Sequence, residues 1–169
     1  MLNLSDSCEM GIGGYGHQSS IGWRYEFTKD EQISFDINQK EYIASSINQK
    51  IQLAFDTSLF SCSEDVTINN TSACAWMYKS NFDPVAHPVN NKIARETAKT
   101  LMAYNASSYS QCLPGAANDI ADSLSRNFHH TNKQLIVLFE HTKPPYLPKQ
   151  TMKTIKLPEE IISWIASLS

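Results

Sequence analysis

Side chains with oxygen atoms stand at four points of the sequence where a strand ends or a helix begins. Asp6 ends an alternating apolar and polar stretch, and Glu41 lies near the start of a helical pattern. Asn69 follows a short strand-like stretch, and Asp119 and Asp122 lie one turn apart in a later helical pattern. Hard divalent cations prefer oxygen ligands. Carboxylates gathered from several elements can hold two Mg²⁺ ions roughly 3.5–4 Å apart, which activate water and stabilise the leaving oxygen of a phosphodiester.

Each of these acids also has a structural interpretation. Asp6 can form a turn before the glycines that follow it, and Glu41 can complete a capping box three residues after an N-cap at Asn38. Asp119 and Asp122 can complement the dipole of the helix whose first turn they occupy. Residue types and spacing leave both interpretations open, and composition by itself favours the structural one.

Other catalytic centres find less support in the sequence. No Gly-x-Ser-x-Gly elbow of a serine hydrolase is present, and the histidines cluster in loops and in the C-terminal tail. Cys8, Cys62, Cys74 and Cys112 are far apart and form no Cys-x-x-Cys pair, so we expect reduced thiols and no structural zinc site. The glycines at 11–16 precede no helical pattern, so we do not expect a phosphate-binding loop.

Alternating strand and helix patterns predict the elements that position these residues. Residues 1–35 predict three antiparallel strands, with the glycines at 11–16 in a tight return and 21–27 as a half-buried strand. An apolar stripe over 38–55 predicts a helix. The remaining pattern predicts a strand at 65–68, helices at 71–78, 90–104 and 118–126, and a strand at 108–113. This order predicts an α/β fold, with helices packed on a mixed sheet.

The pattern loosens after Asn127. His129-His130 and the later prolines indicate a linker-like stretch with one apolar piece, Leu135–Phe139. Pro158 and the acidic and apolar residues after it predict a short amphipathic helix. We therefore divide the chain into a domain at 1–127 and a C-terminal extension with a short helix at 128–169. We expect the apolar residues of the extension to pack back on the domain, with binding to a neighbouring protein as the alternative.

Charge gives a mixed indication about partners. The chain has 14 Lys and Arg against 17 Asp and Glu, a formal net charge of −3, so bulk charge does not predict a nucleic-acid binder. Lys92, Arg95 and Lys99, however, share one face of the helix predicted after Asn90. This face is either a solvated helix surface or a contact for phosphates.

The distribution of apolar residues predicts a soluble chain. The longest fully apolar run is Leu135–Phe139, too short to span a bilayer. No basic flank followed by an apolar run begins the sequence, so no signal peptide is expected. We expect an intracellular protein of the cytoplasm or nucleus with no membrane partner.

Four short motifs, in order from Leu2 to Arg126, resemble the ribonuclease H domain of retroelement reverse transcriptases. Ser5-Asp6-Ser7, with Gly11–Tyr15 and Trp23–Glu26 after it, is similar to the opening of that domain. Residues 37–44, Ile-Asn-Gln-Lys-Glu-Tyr-Ile-Ala, are similar to its first helix, where an Asn-x-x-Glu-(Phe/Tyr) pattern carries the second acid. Residues 69–76 resemble its Asp-Asn-Thr-(Ser/Ala) segment. Residues 118–126 resemble the Asn-x-x-Ala-Asp-x-Leu-Ser-Arg ending typical of retrotransposons.

The resemblance implies a fold and an activity for the domain at 1–127. The implied fold is ribonuclease H-like, a mixed five-stranded sheet of three antiparallel strands and then two parallel ones, with helices packed on its faces. The implied activity is hydrolysis of the RNA strand of an RNA–DNA hybrid with two Mg²⁺ or Mn²⁺ ions. The catalytic and metal-binding positions carried over are Asp6, Glu41, Asn69 and Asp122. Position 69 departs from the family, which has Asp there, and the lost charge predicts impaired activity.

The resemblance also implies partners. Gln39, Asn70 and Thr71 are plausible contacts to the minor groove of the hybrid, where 2′-hydroxyls are displayed. Lys92, Arg95 and Lys99 fall where related enzymes carry basic residues that contact the hybrid. A polymerase domain of a reverse transcriptase is a possible upstream partner in the native chain. The alternative is a catalytically inactive ribonuclease H-fold module for binding or scaffolding.

Overall fold

The structure, a computed structural model, describes residues 2–55, 63–68, 75–76, 81–112, 117–148 and 150–169, with the backbone alone at 63–68 and 110–112. Its strands are β1 (Leu2–Ser7), β2 (Gly11–Gly16), β3 (Ile21–Glu26), β4 (Ser63–Ile68), β5 (Ser107–Cys112) and β6 (Lys153–Ile155). Its helices are α1 (Lys29–Ser34), α2 (Ile37–Phe55), α3 (Pro88–Ala103), α4 (Asp119–Arg126), α5 (Asn132–Thr142) and α6 (Glu159–Ala166). The helix predicted at 71–78 lies outside the described residues, apart from positions 75 and 76.

One mixed sheet runs through the described part of the chain in the order β5-β4-β1-β2-β3-β6. β2 is antiparallel to both β1 and β3, whereas β4 is parallel to β1, β5 to β4 and β6 to β3. The predicted α/β architecture with a mixed sheet and packed helices is confirmed. The sequence predicted five strands, but the described residues contain six, because Lys153–Ile155 adds a parallel strand beside β3.

The glycine-rich segment is the strand β2 itself and not the tight return that the sequence predicted. A Cβ atom on Gly13 would lie 2.6 Å from Leu124 Cβ of α4, and one on Gly14 would lie 2.8 Å from Asn48 Cγ of α2. Real Cβ atoms do not approach other atoms this closely, so only glycine lets a helix reach the strand on each face. β2 pairs with β1 through Asp6 and Gly13, so the close approach brings α4 beside Asp6.

Residues 29–34 form a helix where the sequence predicted only strands up to residue 35. The Thr28 hydroxyl oxygen accepts from the Glu31 N–H at 3.3 Å, and the Glu31 carboxylate accepts from the Thr28 N–H at 2.8 Å. This reciprocal pair is a capping box. It begins α1, which leads the chain from β3 towards α2.

The cap of α2 also differs from the prediction. The Gln39 N–H donates to Asp36 Oδ1 at 2.8 Å, and the Asp36 N–H donates to Gln39 Oε1 at 3.1 Å. Asp36 therefore caps the helix in place of Asn38, and Glu41 takes no part in the cap. The next turn of α2 carries Glu41 into the interior, where 4% of the residue is exposed.

Helices α5 and α6 pack against the two faces of the sheet. Ile161 and Ile165 of α6 are buried in a cluster with Trp23 and Ile43, and Leu135 of α5 is buried in a second cluster with Leu4 and Leu124. Full burial of one such side chain contributes about 1.5–3 kcal/mol. The expected packing of these apolar residues on the domain is therefore confirmed.

The stretch that the sequence predicted as linker-like contains α5. The Thr131 hydroxyl oxygen accepts from the Gln134 N–H at 3.3 Å, and Gln134 Oε1 accepts from the Thr131 N–H at 2.8 Å. This second capping box starts the helix at Asn132. Within the described ranges, none of the helices combines the length and apolar character needed to cross a bilayer.

Candidate metal centre

Two of the predicted acids meet between β1 and α2. Asp6 on β1 is 3% exposed, and Glu41 on α2 is likewise buried. Glu41 Oε1 accepts a hydrogen bond from the Ser7 N–H at 3.1 Å, and the Asp6 carboxyl is close enough for its charge to act on the Glu41 carboxyl. No donor among the described residues reaches Glu41 Oε2. The structure places Asp6 and Glu41 beside each other, and their role as metal ligands stays a prediction.

The pair holds a proton in the metal-free protein. Burial is the main cause that raises the pKa of Glu41, the charge of Asp6 adds to it, and together they bring that pKa to about 8. The hydrogen bond from Ser7 acts in the opposite direction but is outweighed. The raised pKa favours the protonated form of Glu41 near pH 7, because two buried carboxyls cannot both ionise at low cost. Two buried carboxyls with an oxygen short of donors are a donor set that would suit a hard divalent cation, and such an ion would bind in exchange for the proton.

Helix α4 is tied to the same strand by side chains that the sequence analysis missed. The Ser125 hydroxyl donates to Asp6 Oδ2 at 2.9 Å and also lies 2.9 Å from the Asp122 carbonyl oxygen. The Cys8 thiol donates to the Ser125 carbonyl at 3.0 Å, and Asn118 Nδ2 donates to the Ser5 carbonyl at 3.0 Å. One signal was available, since Ser125 follows Asp122 by three residues and must share its helix face.

Asp122 lies on α4 but is not gathered with the other two acids. Its side chain is 43% exposed and forms an ion pair with Arg126 one turn later. The hydrogen bond with Asp122 is the main cause that raises the pKa of Arg126, and the charge of Asp6 also raises it. Among the residues that the structure describes, no group of three His, Cys, Asp or Glu side chains is arranged to hold a metal ion. Asp122 would have to exchange Arg126 for the cation to complete a site.

The remaining metal-binding position and two of the predicted nucleic-acid contacts cannot be placed. Asn69, Asn70 and Thr71 lie outside the described residues. Gln39 is described, and its side chain is occupied within the protein. Its Oε1 takes part in the cap of α2, and its Nε2 donates to Asn90 Oδ1 on α3 at 3.2 Å.

The predicted basic face of α3 is exposed, and protein groups engage part of it. Lys92 Nζ donates to the Ser167 carbonyl at 2.8 Å, and Lys99 Nζ lies 3.7 Å from Glu96 Oε2. Arg95 is exposed and forms no ion pair with the described part of the chain. Phosphate contacts by this face stay a prediction.

The chain was also compared with known proteins. No protein-family model, no curated protein and no solved structure matches it. The geometry of the described residues and the motifs of the sequence are therefore what a functional proposal rests on.

Proposed function

We propose that the chain is a ribonuclease H-type domain that binds RNA–DNA hybrids and cleaves their RNA strand by two-metal hydrolysis, with activity reduced by Asn69. The observation that carries the proposal is the buried contact between the carboxyls of Asp6 and Glu41. Burial and the like charge of Asp6 raise the pKa of Glu41, and the hydrogen bond from Ser7 only partly offsets them. Strongly perturbed carboxyls of this kind cluster at functional sites.

The arrangement of the sheet supports the proposal. β1, β2 and β3 are antiparallel neighbours, and β4 and β5 add two parallel strands on the other side of β1. The resemblance implies this sequence of pairings. Asp6 stands on the central strand β1, Glu41 on the helix packed over it, and Asp122 on the helix that approaches from the other face.

In the proposed site, the ions and the protein groups have different roles. Asp6 and Glu41 hold the ions, with Asn69 and Asp122 as the further ligands that the resemblance implies. The ions supply an activated water and stabilise the charge that develops on the phosphodiester. The protein excludes water from the carboxyls by burying them, and the Ser7 N–H fixes the orientation of Glu41.

Binding of the hybrid is proposed on the side of α2 and α3. Lys92, Arg95 and Lys99 would contact phosphates, and Gln39, Asn70 and Thr71 would contact the minor groove. Lys92 and Lys99 would have to leave their protein partners to do so. A polymerase domain upstream in the native chain is the proposed supplier of the hybrid.

A second candidate function is a catalytically inactive module of the same fold that binds the hybrid or another protein. Two observations favour it over an active enzyme. Position 69 is Asn where the family has Asp, and Asp122 is engaged by Arg126. The first leaves the proposed site one negative charge short, and the second compensates the charge of Asp122 with a cation of the protein, whereas the chemistry of the site depends on negative charge.

Cleavage of a labelled RNA–DNA hybrid in Mg²⁺ or Mn²⁺ tests the proposal, with the natural chain and Asn69→Asp measured side by side. We expect the substitution to raise the cleavage rate by orders of magnitude, because it restores a charged ligand with almost no change in side-chain volume. The same amount of duplex DNA serves as the substrate control and should stay intact.

Asp6→Asn in the Asn69→Asp background is the matched control, since it exchanges one carboxyl for an amide in the opposite direction. It should abolish the activity that Asn69→Asp gains. Hybrid binding without cleavage by both the natural chain and Asn69→Asp would favour the inactive module. Cleavage that survives Asp6→Asn would contradict the proposed site.

A further inference from the structure

We propose that Ser125 is a positioning residue for the metal centre, whose hydroxyl holds the Asp6 carboxylate in the orientation that receives the cation. This inference rests on the proposed function and assigns a role to a residue on α4 for which the resemblance implies none. Ser125 is fully buried, and its Oγ lies 2.9 Å from Asp6 Oδ2.

The hydroxyl has two acceptors within reach, and the carboxylate is the stronger one. Ser125 has one hydroxyl hydrogen, and the Asp122 carbonyl oxygen lies at the same 2.9 Å as Asp6 Oδ2. A bond to an ionised acceptor is roughly twice as strong as one between neutral groups. The hydrogen therefore goes to Asp6 whenever Asp6 is charged, which is its form as a metal ligand.

This hydrogen bond does not block the site. A carboxylate offers about four lone-pair positions, so one oxygen can accept from a hydroxyl while the group also binds a cation. Hydrogen bonds of this kind from outside the ligand set orient the ligands, and their loss typically weakens metal affinity or activity 10–100-fold.

Ser125 is itself held in place from two directions. The Cys8 thiol donates to the Ser125 carbonyl at 3.0 Å. The backbone of α4 at Leu124 and Ser125 lies directly on β2, where a Cβ atom at Gly13 would meet Ser125 N at 2.9 Å. The hydroxyl therefore has little freedom to leave Asp6, and the position of Asp6 depends on the seating of α4.

Ser46 provides a matched control for the loss of a buried hydroxyl. It is also buried and its Oγ is hydrogen-bonded at 2.8 Å, but the partner is the neutral hydroxyl of Thr97 on α3. Ser125→Ala and Ser46→Ala thus delete the same atom from two buried positions. Only the first deletion removes a bond to a proposed metal ligand.

Calorimetric titration with Mn²⁺ tests the role, in the natural chain and in an Asn69→Asp background, with melting temperatures recorded for every variant. We expect Ser125→Ala to weaken Mn²⁺ binding by roughly 10–100-fold, and Ser46→Ala to leave it unchanged even where it lowers the melting temperature. Ser125→Thr keeps the hydroxyl and should restore the affinity. If its extra methyl group prevents folding, the two alanine variants decide the question.

Several results would overturn the inference. Equal Mn²⁺ affinity in Ser125→Ala and the parent chain would show that the hydroxyl does not position Asp6. An equal loss in Ser125→Ala and Ser46→Ala would assign the effect to general destabilisation, and a folded Ser125→Thr variant that fails to restore binding would exclude the hydroxyl as its cause. Absence of Mn²⁺ binding in both parent backgrounds would instead refute the proposed function, and this inference with it.

Discussion

Glu41 and Glu96 lie on helices that pack against each other, α2 and α3, but their surroundings are opposite. Glu96 accepts a hydrogen bond from Lys50 Nζ at 2.9 Å and has Lys99 Nζ at 3.7 Å. The hydrogen bond from Lys50 is the main cause that lowers the pKa of Glu96. Glu41 faces Asp6, and burial and that like charge raise its pKa to about 8.

The difference separates an arrangement that stabilises the fold from one that costs stability. Near the surface, Glu96 and Lys50 attract each other while water still screens them. Their charged forms are therefore more stable in the folded chain than in the unfolded one. Glu41 and Asp6 repel each other where water is excluded, so the folded chain must hold a proton that the unfolded chain releases. Such an arrangement does not contribute to stability, and the proposed metal centre would account for its presence.

The largest expected effect is loss of metal binding in Asp6→Asn. Replacement of this carboxyl by an amide removes the charge that faces Glu41, so the site has one carboxylate left between β1 and α2. We expect no Mn²⁺ binding in a calorimetric titration. Glu96→Gln removes the same charge from α3 and should leave Mn²⁺ affinity at the parent value. Equal Mn²⁺ affinity in Asp6→Asn and the parent would contradict the proposal that Glu41, unlike Glu96, faces a metal ligand.

The second effect is on the pH dependence of folding in the metal-free chain. Glu41 keeps its proton in the folded state up to about pH 8, whereas the unfolded chain loses it near 4.5. The unfolded state binds fewer protons in this window, so the free energy of unfolding contributed by Glu41 falls as pH rises through it and is level above it. Glu41→Gln should remove this contribution and stabilise the chain at pH 8 by on the order of a few kcal/mol at most, as measured by urea unfolding.

Glu96→Gln is the control, and its expected effect on the free energy of unfolding is opposite to that of Glu41→Gln. The pKa of Glu96 is lowered in the folded state, so its contribution to stability is present above the unfolded pKa and is lost as pH falls through the folded one. Glu96→Gln should therefore destabilise the chain at neutral pH and have no effect in acid. A Glu41→Gln variant whose stability changes with pH as the parent's does would contradict the account of the buried pair.

The third effect concerns the salt dependence of hybrid binding by Lys92 and Arg95, which lie on α3 with Glu96. If Lys92 and Arg95 bind phosphates of a hybrid, replacement of both by Ala reduces the slope of log affinity against log salt by roughly one for each phosphate that is no longer neutralised. Filter binding at several salt concentrations measures the slope. Lys153→Ala with Lys156→Ala removes two exposed charges near β6 and should leave it unchanged. An unchanged slope in the first pair would mean that this face of α3 is only solvated.

How much of this arrangement the sequence predicts depends on the range of the interactions. The alternation in β1 and β3, the apolar stripe of α2 and the carboxyls of Asp6 and Glu41 are local patterns, and the structure agrees with them. The capping boxes at Thr28 and Thr131 are local too. Each has a Thr followed three residues later by Glu or Gln, a pattern that the sequence contains. The prediction gave more weight to the glycine-rich and proline-rich stretches near them.

The rest depends on contacts between residues far apart in the chain. The glycines of β2 look like turn residues because glycine permits a turn, but here Gly13 and Gly14 make room for two helices. The bond from Ser125 to Asp6 joins residues 119 positions apart, and no local pattern predicts it. The sequence alone leaves Glu41 compatible with a helix cap, whereas in the structure Asp36 fills that role.

The smallest expected effect is loss of the ion pairs of Lys50, through Lys50→Met. Lys50 pairs with Glu96 and with the more exposed Glu160. Lys50 and Glu96 are both partly exposed, so the substitution should destabilise the chain by about 0.5–1 kcal/mol at neutral pH and by nothing once acid has protonated both glutamates. Lys156→Met breaks a comparable pair with Glu159, 3.4 Å apart but with both side chains at least 80% exposed, and should cause no measurable change. Chemical unfolding of the parent, Lys50→Met and Lys156→Met at pH 7 and pH 3 measures both changes in stability. If Lys156→Met destabilised the chain as much as Lys50→Met, burial would not determine how much these ion pairs stabilise the fold. The contrast between Glu96 and the more deeply buried Glu41 would then lose its physical basis.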